Sequence, residues 1–150
     1  MGIEIADEAI RTAESWIKTA ETMLREKVYN TALYSEEMAV EIALKAVMLS
    51  TGIEPPKVHN IIESVEANVL GSNNVPKKYR EELKEITRSL LPELLRNRQL
   101  SGYTFNYNID QKDAFLLSRR ALKTSINSSR FFFICDGKLS LLSNIRCVIL

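Results

Sequence analysis

The sequence predicts an all-α fold: an up-and-down antiparallel bundle of about five helices, followed by a C-terminal extension. Three observations lead there. Apolar residues recur at spacings of three and four, the helical period, from the N-terminus to about residue 130. No alternating strand pattern, internal repeat or low-complexity run occurs before the tail. The breaks between periodic segments are short and carry glycine and proline, the residues that end helices. At 150 residues the chain has the size of one domain and can bury a sizeable core.

The first helix is marked by Ala6, Ala9, Ile10, Ala13, Ile17, Ala20 and Leu24 on one face. Trp16, beside Ile17, belongs to the core or to a dimer interface. The second runs through TALYSEEMAVEIALKAVMLSTG and stops at Gly52, with Pro55 and Pro56 beyond it. KVHNIIESVEANVLG is a third, shorter helix, with Asn60 as cap and Gly71 as stop. After the turn SNNVP, KKYREELKEITRSLLPELLRNRQL forms a fourth, which Pro92 must kink or restart. SGYTFNYN is a loop, and Asp110 caps a fifth helix, QKDAFLLSRRALKTSIN. The bundle occupies residues 1–130. Residues 131–150 are an apolar extension that packs on the bundle or on a dimer partner. In this extension Asp136-Gly137 suits a hairpin turn, while the same residues can also continue the fifth helix and add a short sixth.

Composition narrows the function classes. A formal net charge of +1 provides no global basic field, so any nucleic-acid contact needs a local patch. Cys135 and Cys147 have neither metal spacing nor a disulfide framework, so a reducing, cytoplasmic location is expected. The N-terminus has no apolar signal core, and no run of eighteen apolar residues exists to span a membrane.

The second helix carries the first chemical clue. At about 100° per residue, nearly its whole circumference is apolar, which places it centrally in the bundle. One narrow polar strip remains: Glu37, Glu41 and Lys45. Glu41 and Lys45 are four apart and share a face, so the plain reading is a surface ion pair. The sharper reading is that the strip faces a cleft, where something polar has to be met.

A second segment follows at Arg96-Asn-Arg98-Gln-Leu-Ser101-Gly-Tyr103. Glu-x-x-x-Lys on a central helix, followed later by Arg-x-x-x-x-His-x-Tyr, resembles the HEPN domains (higher eukaryotes and prokaryotes nucleotide-binding). Here the first element is Glu41-Ile-Ala-Leu-Lys45, and in the second Ser101 stands where the family's ribonucleases commonly carry histidine. Val58-His59-Asn60-Ile61 is similar to the family's start of the third helix. The resemblance covers roughly residues 5 to 125. It implies a small helical bundle, often a homodimer, with a cleft near the arginine segment. Active members are metal-independent ribonucleases. Many are toxins paired with a small nucleotidyltransferase antitoxin, which in some pairs adds AMP to the family tyrosine, here Tyr103. No cofactor and no metal is implied.

The missing histidine bears on the chemistry. RNA supplies its own nucleophile, the 2′-hydroxyl, so cleavage needs a group that takes its proton and a fixed cation for the charged phosphorane. Arg96 remains and Arg98 adds a second cation, but a serine hydroxyl is a poor base, and acid–base help is worth about 10²–10⁴-fold in rate. His59, the only histidine, opens the third helix, where its ring is expected to bond a backbone group. Lys45 beside Glu41 favours the charged carboxylate. Tyr103 is too weak a base. Arg96 and Arg98 could also simply complement a helix dipole. Tyr103, Phe105 and Tyr107 alternate either as stacking surfaces for bases or as loop anchors.

The expectation is therefore a nucleotide- or RNA-phosphate-binding module. Its site is Glu41, Lys45, Arg96 and Arg98, it partners a nucleotidyltransferase, and it retains little or no nuclease activity. The alternatives are an endoribonuclease active despite Ser101, and a structural interaction protein that uses its tail.

Overall fold

The computed structural model describes residues 2–73, 75 and 77–103, and every regular element among them is helical. Helix α1 (Gly2–Arg25) and helix α2 (Tyr29–Ser50) form an antiparallel hairpin. Helix α3 is short: Ile62–Ser64 continued by a π-helical turn, Val65–Leu70. Helix α4 (Lys77–Glu85) passes through a second π-helical stretch, Ile86–Leu90, directly into α5 (Leu91–Tyr103). The expected fifth helix after Asp110, the loop residues Phe105 and Tyr107 and the extension 131–150 lie outside the described residues.

The α1–α2 hairpin has an alanine seam. Ala6, Ala13 and Ala20 on α1 and Ala32, Ala39 and Ala46 on α2 are all buried, each set repeating every seven residues. Ala20 and Ala32, Ala13 and Ala39, and Ala6 and Ala46 stand at equal chain distances from Glu26, so they come level across the hairpin. Small side chains on both sides let the two backbones pack closely. Larger side chains, Leu33, Val40, Leu44, Val47 and Met48, carry the core from α2 toward Ile61, Val65, Leu83, Leu90, Leu91 and Leu94. Helix α2 is thus buried around most of its circumference.

Both helices of the hairpin end in the same way. Val28 N–H bonds back to Met23 O and Lys27 N–H to Leu24 O, with Lys27 at φ 60°. Ile53 N–H bonds to Met48 O and Gly52 N–H to Leu49 O, with Gly52 at φ 79°. Each is a Schellman closure around a left-handed residue. Glycine takes that conformation freely, whereas lysine does so at a cost of about 1–2 kcal/mol.

Pro92 does not break the fourth helix. Proline has no N–H and crowds the carbonyl four residues earlier. The chain answers by widening the preceding turn: Leu91 N–H bonds to Ile86 O, five residues back, and the helix then resumes. It also runs further than expected, since Ser101, Gly102 and Tyr103 continue α5 and are not part of a loop. Asn60 Oδ1 accepts from Ile62 N–H at 3.3 Å at the start of α3. Arg80 donates to the carbonyls of Val75 and Ser72, which ties the preceding turn to α4.

Candidate functional site

The polar strip of α2 turns toward α5 and the α2–α3 connection. Lys45 Nζ donates to Glu41 Oε1 at 2.6 Å and to the Val58 carbonyl at 3.0 Å. The Glu41 side chain is 4% exposed and that of Lys45 21%, so the surface-pair reading fails and the pair closes a buried corner. The second carboxylate oxygen of Glu41 faces His59 Nδ1 at 2.9 Å. A carboxylate only accepts, so Nδ1 carries a hydrogen, and in the neutral ring Nε2 then keeps its lone pair.

Glu37, one turn earlier on α2, receives Arg98 Nη1 at 2.6 Å. Its side chain is fully buried, while that of Arg98 is 23% exposed. Arg98 Nη2 lies 3.4 Å from His59 Nε2, and its guanidinium carbon sits 4.7 Å from the Tyr34 ring centroid. Trp16 of α1 meets that ring edge-on, with centroids 6.1 Å apart. Residues from α2, α5 and the α2–α3 connection therefore meet in one cluster: Glu37, Glu41, Lys45, His59 and Arg98.

The electrostatics of Glu37 stand apart. Burial pushes its carboxyl up from 4.5 to about 7, against the pull of Arg98 and with an added push from Glu41. Its Oε1 is buried and meets no donor. A proton on that oxygen would turn it into a donor toward the neighbouring Glu41 carboxylate, which favours the neutral form both by charge and by accepting the bond.

Glu37, Glu41 and His59 bring three potential ligand atoms within 4.8 Å of one another, the donor types of a divalent-metal site. The same carboxylates already bond Arg98 and Lys45. These two side-chain cations already balance the charge of both carboxylates. The arrangement suits proton transfer and anion contact better. A buried carboxylate orients an exposed imidazole, whose second nitrogen faces a guanidinium.

Two expectations need correcting. His59 does not bond a backbone group at its turn; its ring joins Glu41 and Arg98. Arg96 and Arg98 do not share a face of α5 either. Two residues on a helix are about 200° apart, so Arg96 is exposed on another face of α5, with no hydrogen bond or ion pair among the described residues. Ser101 and Tyr103 lie in the last turn of α5, and their side chains lie outside the described residues. Tyr34 was missed, and Glu37, though read as part of the α2 strip, was not carried into the expected site. The signal for Glu37 was present, since it continues the Glu41–Lys45 strip by one turn of a helix that is otherwise apolar.

Among the described residues, no helix is long and apolar enough to cross a membrane. A comparison with curated proteins gives no match. A model of the HEPN domain matches residues 6–115, most of the chain, and takes in both the α2 strip and the arginine segment of α5. The chain belongs to the HEPN domain family, a membership that points to a nucleotide- or RNA-related function.

Proposed function

We propose that the chain is a nucleotide- or RNA-phosphate-binding HEPN module whose anion site is built on Lys45 and Arg98. In this reading it works beside a small nucleotidyltransferase, as a toxin–antitoxin type pair, with Tyr103 as the residue open to AMP addition. The Arg96-to-Ser101 segment leaves it little or no nuclease activity through that motif. The observation that carries the reading is the convergence of Lys45, Arg98 and His59 on one buried carboxylate pair, with both cations partly open to solvent. Guanidinium donors grip phosphate oxygens in parallel, and a neighbouring ammonium adds charge. Arg96, exposed on another face of α5, would meet the same kind of ligand from a second copy in a homodimer.

Labelled single-stranded RNA, titrated with the protein at increasing salt, tests the reading. Binding should weaken steadily as salt rises, and Arg98→Ala should lower affinity at least about tenfold. Salt-independent binding, or an Arg98→Ala protein that binds equally well, would refute it.

One observation favours a second reading, endoribonuclease activity. His59 is oriented by Glu41 and lies against Arg98, so a base and a cation adjoin despite Ser101. Nε2 would take the 2′-hydroxyl proton, the 2′-oxygen would attack phosphorus, and the 5′-oxygen would leave and take a proton from solvent. The products are a 2′,3′-cyclic phosphate and a 5′-hydroxyl. An RNA digest with chelator present decides between the two readings. Cleavage by the natural protein that is lost in His59→Ala supports the enzyme. An inert natural protein that gains cleavage in Ser101→His supports the binding module.

A further inference from the structure

The Arg98–Glu37 pair has one accessible end. The carboxylate is fully out of solvent, and the guanidinium is partly at the surface. An anion arriving from solvent can meet Arg98 but not Glu37. It therefore competes with the carboxylate for the cation electrostatically, without sharing its space.

The charge count decides what must happen next. With both glutamates ionised, Glu37 and Glu41 balance Lys45 and Arg98 within these four side chains. With Glu37 neutral, these four side chains together carry one net positive charge, and Arg98 is the partly exposed member of its pair. The cluster also has a place for that proton. Glu37 Oε1 is buried without a donor, and the Glu41 carboxylate is within side-chain hydrogen-bonding reach of Glu37.

We propose that this cluster is a proton-coupled anion site, in which one phosphodiester group taken up at Arg98 brings one proton onto Glu37. The inference rests on the phosphate-binding reading above and adds its regulation. No covalent step is involved: the proton comes from solvent, Oε1–H then donates to Glu41, and the phosphodiester keeps its single charge. Burial already pushes the Glu37 carboxyl up to about 7, so the exchange falls in the neutral range. The groups that face it are Arg98 from α5, Glu41 and, one turn on, Lys45 from α2, and His59 behind Arg98 from the α2–α3 connection. Among the described residues, no ion pair joins Glu37 to α1 or α3.

The test is calorimetry of the full chain with a 2′-O-methyl RNA hexamer, which cannot be cleaved and does not titrate near neutrality. Buffers of different ionisation enthalpy report the protons taken up. We expect almost none near about pH 6 and close to one per RNA near about pH 8. Affinity should fall toward about tenfold per pH unit above about pH 7. Glu37→Gln keeps the shape and cannot ionise, so its affinity should be flat with pH and its uptake nil. Tight binding with no uptake by the natural protein would overturn the proposal, as would uptake that persists in Glu37→Gln. Uptake abolished by His59→Gln in place of Glu37→Gln would move the proton to the imidazole and overturn it too. Carboxyl-carbon NMR of the natural protein gives a second measurement that needs no variant: RNA should raise the Glu37 midpoint, and an unmoved midpoint refutes the coupling. Failure to bind RNA at any pH would instead remove the phosphate-binding reading, so the two failures are distinct.

Discussion

One continuous helical stretch carries two Arg–Glu pairs ten residues apart, and they behave in opposite ways. Arg88 reaches Glu66 of α3 with two donors, Nε and Nη2, at 2.5 and 2.8 Å. Arg98 reaches Glu37 of α2 with one, at 2.6 Å. The Arg88 pair has the better geometry, yet it sits in solvent, with side chains 58% and 31% exposed. There the hydrogen bond from Arg88 holds the Glu66 carboxyl below its ordinary range. The Arg98 pair has the poorer geometry and a fully buried carboxylate, and there burial pushes Glu37 up to about 7. Solvent, more than the number of hydrogen bonds, sets which form of the carboxyl prevails. Desolvation opposes the charged form at Glu37, a second carboxylate compounds it, and one guanidinium does not offset both.

The contrast can be broken most forcefully at Arg98. Arg98→Ala strands a buried carboxylate, and above about pH 7 we expect a loss of about 3–5 kcal/mol in urea-unfolding stability. The loss should shrink below about pH 5, where Glu37 is neutral in both proteins. A pH-independent loss would mean that packing, not charge, is what Arg98 supplies.

Glu37→Gln is expected to have the next largest effect. The natural carboxyl lies at about 7 when folded and near 4.5 when unfolded. Between those values the folded chain holds more of the proton, so this contribution is fullest below about 4.5 and is lost as pH rises through about 7. The decline should be on the order of 3 kcal/mol in the natural protein. In Glu37→Gln the same stretch of the stability–pH curve should flatten, and a slope that persists would place the titration elsewhere.

A smaller effect is expected from replacing both members with apolar residues. Glu37→Leu combined with Arg98→Met should leave unfolding stability unchanged or raise it by up to about 2 kcal/mol, while abolishing RNA binding. A large loss in the double variant would show the pair to be a net source of stability. The smallest effect belongs to the exposed pair. Arg88→Gln should lower the melting temperature slightly at low salt and not at all in about 1 M salt.

Much of this was legible in advance. The apolar period marked α1 and α2, and the near-absence of polar positions on α2 marked it as the central helix. Gly52 was legible as a stop because the left-handed turn there suits glycine. Lys27 makes the same turn without any such signal. Pro92 announced a disturbance, but not that a widened turn upstream would absorb it. The seven-residue alanine repeat was present in the letters too, yet its meaning depends on two helices meeting level.

The site divides in the same way. The α2 strip was readable because Glu37, Glu41 and Lys45 are helical neighbours, and helix geometry alone puts them on one face. Likewise, that geometry separates Arg96 from Arg98, although adjacency in the motif suggested a pair. The three contacts that make the cluster join residues 18, 39 and 61 positions apart: Glu41 with His59, His59 with Arg98, and Glu37 with Arg98.

What the sequence determined by itself is a helical chain with one polar seam on its most apolar helix, because a local period needs no partner to be expressed. Only the tertiary structure decided that this seam meets Arg98 and not Arg96, that His59 leaves its turn for Glu41, and that Glu37 lies out of water. Those outcomes depend on which helix covers which face, and burial is a property of the covered face that no single segment carries.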